Sequence, residues 1–178
     1  RTMYLSLKWM SCRAGQYDGW EWRSGDSGSV SLTPSFVDYL CWEMNEWIGR
    51  DIFDAVYLDE CYEWPLYNLE AGMSVRLPNG KQQPGVNNFR FRELMKRWYG
   101  IFVQHDQKPM LIAHHTHSFQ YPGLVYVQAY LDGENSPIVS LKGGDWIDKT
   151  NKKRFEVIQN GQMWGMAPFY MPYISEGG

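Results

Sequence analysis

The hydrophobic pattern along the chain alternates between the two-residue period of strands and the longer period of helices. Residues 2–10 alternate apolar and polar side chains, which predicts a strand. The segment 33–48 opens with a Thr-Pro pair typical of a helix start and places its apolar residues on one helical face. Gly49 is predicted to end this helix. A second amphipathic helix is predicted over about residues 88–104.

Short apolar runs between and after these helices predict further strands. They are residues 55–58, "KPMLIAHH", "GLVYVQAYLDGE" and "GMAPFYMP", with another helix near 150–163 before the last of them. Strands that alternate with helices indicate an α/β fold with parallel strands. Four or five strands fall short of the eight pairs of a full barrel, so we expect part of a TIM-type (β/α)8 barrel. One junction, "THSFQYPG", is shorter than an ordinary helical crossover.

Composition narrows the classes of protein. The chain of 178 residues suits a single domain over 1–178, and its 44 % hydrophobic content excludes disorder. Nine Trp and twelve Tyr favour a sugar- or peptide-binding groove. The net charge of −3, without a basic run, makes nucleic acid an unexpected partner. No apolar run approaches the roughly 20 residues that span a bilayer, and three scattered Cys form neither a zinc pattern nor a disulfide framework.

The chain opens directly on a predicted strand, "RTMYLSLKWM". This start is typical of a piece of a longer protein, so we expect additional domains. A predicted loop over residues 61–86 is longer than the roughly 15 residues usual in a compact domain, which favours a functional loop.

Polar clusters follow three of the predicted strands where each strand ends. They are Asp59-Glu60, His114-His115-Thr116-His117 and Asp132-Gly133-Glu134. Any one of them alone is explained by a turn or a helix cap. Because chemistry in parallel α/β folds gathers at the carboxyl ends of strands, the three together predict a shared active face.

The adjacent acids Asp59 and Glu60 suit glycoside hydrolysis. Two carboxyl groups held close push their pKa values apart, which leaves one protonated to act as an acid. In hydrolysis assisted by the substrate's own acetamido group, one carboxylate orients the acetamide and the other protonates the leaving oxygen. One alternative uses Glu60 and Glu134 without acetamido assistance. Another is a barrel that binds carbohydrate without cleaving it.

Other residues are candidates for substrate contact. His115 and His117 share a face if they lie on a strand, but the sequence has no HExxH pattern. We therefore expect His114, His115 and His117 to contact sugar or make structural hydrogen bonds, with no metal. Trp64 and Tyr130 lie near strand ends and are candidates for stacking on a sugar ring.

A serine-protease reading of "GDSGS" fails, because every His lies after residue 104 and that protease order needs a His before the Ser.

The segments "VYLDE", "FRFRELMKRWYGIFVQHDQKPMLIAHHTHSF" and "YLDGEN" together resemble the catalytic barrel of glycoside hydrolase family 123, over roughly residues 53–136. The resemblance implies a β-N-acetylgalactosaminidase-type enzyme that retains configuration through an oxazolinium intermediate, without a cofactor. It implies that Asp59 positions the acetamide and that Glu60 is the general acid and then the general base. Asp132 and Glu134 match a later family motif and are implied to form the sugar-binding floor, with His114 or His115 nearby.

The resemblance also implies an accompanying all-β domain. The glycan substrate class makes an extracellular or periplasmic location the expectation.

Overall fold

The computed structural model describes residues 2–6, 21–24, 27–59, 61, 66–69, 71–114, 121–132 and 151–171. In chain order its elements are β1 (Thr2–Ser6), β2 (Glu21–Ser24), β3 (Ser27–Val30), α1 (Pro34–Gly49), β4 (Ala55–Asp59), β5 (Ser74–Arg76), β6 (Gln82–Pro84), α2 (Asn88–Gln104), β7 (Leu111–His114), α3 (Tyr121–Leu124), β8 (Ala129–Asp132), α4 (Lys152–Ile158), α5 (Gly161–Trp164) and β9 (Ala167–Tyr170).

Five of the described strands form one sheet in the order β1-β4-β7-β8-β9. All four pairings are parallel. The order of the five strands in the sheet is the same as their order along the chain. Helices lie between successive strands of the sheet along the chain. A doubly wound sheet reverses its strand order at a switch point, whereas this order runs in one direction only. The prediction of part of a TIM-type barrel is confirmed.

Helix α1 begins as its sequence predicts. The Thr33 hydroxyl accepts a hydrogen bond from the Phe36 amide at 3.3 Å, and Pro34 occupies the first turn. One face of the helix is buried and packs into the core. The buried residues of α1 are Phe36, Val37, Leu40, Cys41, Met44 and Ile48.

The helix ends differently from the prediction. Gly49 is still helical, and the left-handed residue is Asp51, with φ of 54°. The Ile52 amide donates to the Trp47 carbonyl at 3.1 Å, the six-residue closure of a Schellman motif. A Cβ at Gly49 would lie 3.0 Å from Cε1 of His105, at the end of α2. The glycine therefore permits the close approach of two helices rather than ending one.

The hydrophobic core lies between the helices and one face of the sheet. Helix α2 contributes the face that its pattern predicts. The buried residues of α2 are Phe91, Leu94, Met95, Trp98, Ile101 and Phe102. The sheet contributes Val56, Leu58, Leu111, Ala113 and Tyr130 to the same cluster.

The junction between β7 and β8 differs from the sequence prediction. The predicted strand over "GLVYVQAYLDGE" starts only at Ala129, and the short helix α3 precedes it. Leu124 and Val127 are buried, so their apolar character reflects packing of α3 and its following turn rather than strand structure. In the described part of this connection the short helix α3 precedes β8, and β7 and β8 are parallel.

Two of the connections contain antiparallel hairpins. Strands β2 and β3 pair between β1 and α1, and β5 and β6 pair within the predicted loop over 61–86. None of the described helices is long and apolar enough to cross a membrane.

Candidate active site

Three polar side chains end neighbouring strands at one edge of the sheet. Asp59 ends β4, His114 ends β7 and Asp132 ends β8. Leu58 pairs with Ala113, and this register brings Asp59 and His114 side by side. The structure therefore places one residue of each predicted polar cluster at the same edge of the sheet.

The strand ends present these side chains on two different faces. Leu58, Ala113 and Tyr130 belong to the core that packs against the helices. Because successive residues of a strand alternate between faces, Asp59 and His114 lie on the opposite face of the sheet.

Asp59 and His114 form a short contact on that face. Nδ1 of His114 lies 2.7 Å from Oδ1 of Asp59. A carboxylate only accepts hydrogen bonds, so Nδ1 carries the proton and donates it. The His114 side chain is 5 % exposed and that of Asp59 is 19 % exposed, so the acid keeps access to solvent while the imidazole has almost none.

Tyr57 completes this group of side chains. It lies two residues before Asp59 and is half-buried on the same face. Its ring centroid is 6.1 Å from that of His114, with the ring planes inclined by 30°. Tyr57 is not among the predicted site residues, although the two-residue period of the strand already places it on the same face as Asp59.

Asp132 lies on the helical side instead. Its carboxylate is 5 % exposed and accepts hydrogen bonds from Nη2 of Arg154 in α4, at 3.2 and 3.3 Å. This ion pair ties α4 to the end of β8. No spacing in the sequence indicated Arg154, because the contact depends on how α4 returns to the sheet.

Tyr130 is a core residue. Its side chain is fully buried, and burial, followed by the negative charge of Asp132, raises its pKa to about 12. A ring without exposed surface does not offer a stacking platform, so this location does not favour the predicted sugar contact.

Five predicted site residues lie outside the described residues: Glu60, Trp64, His115, His117 and Glu134. Cys61 continues beside β7, because its amide donates to the His114 carbonyl at 3.0 Å. Leu58 and Cys61 are three residues apart and both belong to the core, so the strict alternation of β4 does not extend as far as Cys61.

Among the described residues, no three His, Cys, Asp or Glu side chains come together in a way that would hold a metal ion.

The fold and this site define a TIM-type α/β architecture with a histidine-bound carboxylate at the carboxyl end of its sheet. No family model matches the chain, and no curated protein is significantly similar to it in sequence. The resemblance to glycoside hydrolase family 123 therefore stays a prediction.

A solved structure does match. The chain is similar to the glycoside hydrolase domain of PelA from Pseudomonas aeruginosa, with a TM-score of 0.50 and 13 % sequence identity. The match covers 97 % of this chain and 67 % of that one. At this identity the likeness establishes the fold alone.

Proposed function

We propose that the protein is a glycoside hydrolase that cleaves terminal 2-acetamido-2-deoxy-β-galactosides with assistance from the acetamido group of the substrate. The observation that carries this proposal is the position of Asp59. It is a partly exposed carboxylate, at the carboxyl end of a parallel strand, in a fold similar to that of a glycoside hydrolase domain.

The proposed mechanism gives the two adjacent acids different roles. The carboxylate of Asp59 accepts a hydrogen bond from the acetamido N–H and stabilises the positive charge that develops there. The acetamido oxygen attacks C1 while Glu60 donates its proton to the leaving oxygen. The glycosidic bond breaks and an oxazolinium ion forms. Glu60 then takes a proton from water, which attacks C1 and restores the acetamide with overall retention of configuration.

The remaining parts of the proposed site follow from the sequence. Trp64 stacks on the sugar, while His115, His117 and Glu134 contact its hydroxyl groups. Asp132 supports the floor of the site through its ion pair with Arg154, since its own carboxylate is buried. The substrate is a glycan located outside the cytoplasm. Residues 1–178 act as one catalytic domain beside further domains.

The experiment compares three chromogenic β-galactosides on the intact protein: the 2-acetamido, 2-trifluoroacetamido and 2-hydroxy forms. Trifluoroacetyl withdraws electrons and weakens the attacking amide oxygen. We expect the acetamido sugar to be cleaved fastest, the trifluoroacetamido sugar far more slowly and the plain galactoside not at all. Both Asp59→Asn and Glu60→Gln lower kcat by at least about a hundredfold, as expected when a group acting in the transition state is removed.

Matched controls separate chemistry from folding. Asp38→Asn and Glu46→Gln make the same chemical changes on the exposed surface of α1 and leave activity unchanged. Equal cleavage of the plain and acetamido sugars would contradict acetamido assistance and support the pair Glu60 and Glu134. Glycan binding that survives Glu60→Gln in a protein without any hydrolysis would instead identify a binding domain.

A further inference from the structure

His114 has a different task from the one its sequence position suggested. A sugar contact needs an exposed ring nitrogen, yet the His114 side chain is 5 % exposed. We propose that His114 is a positioning residue that fixes the carboxylate of Asp59 for the acetamido group. This inference rests on the proposed function. It concerns how the carboxylate of Asp59 is held in place for the acetamido N–H of the substrate.

Asp59 needs a positioning partner because it is the last residue of its strand. An Asp side chain rotates about two bonds, so the backbone of the strand alone does not fix the carboxylate. The hydrogen bond from Nδ1 of His114 joins it to the neighbouring strand at 2.7 Å. A hydrogen bond to an ionised acceptor is about twice as strong as a neutral one.

His114 is itself held from two directions. Its carbonyl accepts the Cys61 amide at 3.0 Å, which fixes the backbone at the end of β7. Its ring lies beside that of Tyr57, which limits rotation of the imidazole. A rigid neighbour of this kind is what an active carboxylate needs, because small displacements of a reacting group are costly to the rate.

The arrangement also leaves the carboxylate able to bind substrate. A carboxylate has about four acceptor positions on its two oxygens. The hydrogen bond from His114 occupies one of these positions, and the Asp59 side chain is 19 % exposed, which gives the acetamido N–H access to the carboxylate. Tyr57 acts through His114 and is the second positioning residue.

Two amide substitutions distinguish positioning from sugar contact. The side-chain nitrogen of Asn takes approximately the place of Nδ1, whereas that of Gln reaches the place of Nε2. If His114 positions Asp59, His114→Asn keeps kcat within about tenfold, while His114→Gln and His114→Ala lower kcat by about 10- to 100-fold at similar KM. The opposite order, with a raised KM in His114→Asn, would identify a sugar contact and overturn the proposal.

A double-mutant cycle tests whether the effect passes through Asp59. In an Asp59→Asn background, His114→Gln causes little further loss of kcat, because the group that it positions has already lost its charge. Independent, multiplicative losses would contradict the proposal.

A measurement without substrate keeps this inference separate from the proposed function. The protein contains four His, so labelling histidine with ¹⁵N gives few ring signals, and the one lost in His114→Asn is that of His114. We expect an Nδ1–H signal protected from exchange with water in the intact protein, shifted and exchanging faster in Asp59→Asn. If the proton is found on Nε2 only, the positioning hydrogen bond is absent, whatever the protein hydrolyses.

Discussion

Burial in the core raises the pKa of two ionisable side chains. Tyr130 on β8 is fully buried, and its pKa rises from 10.0 to about 12 through burial and then the charge of Asp132. Cys41 on α1 is buried, and its pKa rises from 9.0 to about 11, mainly through burial and opposed by Arg97. Both groups therefore stay protonated further into the alkaline range in the folded protein than in the unfolded chain.

These shifts predict an alkaline loss of stability. The unfolded chain releases the Tyr130 proton near pH 10, whereas the folded protein keeps it up to about pH 12. The stabilisation that Tyr130 contributes by staying protonated is complete below pH 10. It is lost as the pH rises through 12, at about 1 kcal/mol per pH unit. Urea unfolding at pH 8, 10 and 11 measures this slope, which we expect to be shallower in Tyr130→Phe.

Tyr99→Phe is the matched control, because Tyr99 is 37 % exposed and lies on α2. It should keep the steep alkaline slope. Identical slopes in the parent and in both variants would mean that Tyr130 does not couple its ionisation to folding.

At the scale of elements, both long helices end with an aspartate in the left-handed conformation. Asp51 follows α1 and Asp106 follows α2, with φ of 54° and 55°. The amide of Gln107 donates to the Phe102 carbonyl at 2.9 Å, which closes the same motif after α2. A residue with a Cβ is strained in this conformation by roughly 1–2 kcal/mol, and glycine avoids the strain.

We therefore expect Asp106→Gly to raise the free energy of unfolding by roughly 0.5–1 kcal/mol. Glycine relieves the backbone strain of the folded state, and the greater freedom that it gives the unfolded chain offsets part of this gain. Thermal and urea unfolding at pH 7 measure the change. Asp106→Ala removes the charge at the negative end of the helix dipole but keeps the Cβ. If Ala stabilises as much as Gly, charge rather than backbone strain explains the effect.

The elements also show where sequence patterns succeed. The periods of α1 and α2 are strong because each helix buries one continuous face against the same core, and their predicted bounds agree closely with the structure. Patterns fail at α3, where Leu124 and Val127 are buried without belonging to a strand. Burial follows from tertiary contacts, and a short apolar run does not reveal which element supplies them.

At the scale of the molecule, Arg90 joins two connections that follow neighbouring strands of the sheet. Its guanidinium donates to the Leu32 carbonyl at 3.2 Å and to the Ala71 carbonyl at 3.3 Å. Leu32 lies between β3 and α1, and Ala71 precedes the hairpin β5–β6. One side chain of α2 thus secures both connections, whose strands lead to the candidate active edge.

Arg90→Met should remove the hydrogen bond to the Ala71 carbonyl and so increase the mobility of the connection after β4, while the sheet stays folded. We expect faster amide hydrogen exchange over residues 71–87, unchanged exchange in β4 and β7, and a loss of roughly 1–3 kcal/mol in the free energy of unfolding. Arg92→Met is the control, because Arg92 is exposed on the same helix. Equal exchange in the two variants would show that Arg90 does not hold the connection.

Local sequence patterns predict the class of fold, the two long helices and the strand ends that carry acids and His. These features are local, since they depend on periodicity, capping and the residues that follow an apolar run. Which of those strand ends share a face follows from the pairing of the strands and the packing of the helices. Alternation within β4 and β7, combined with their register, put Asp59 against His114, whereas β8 turned Asp132 towards Arg154. Register and helix packing join residues that are distant in the chain, so no local pattern encodes them.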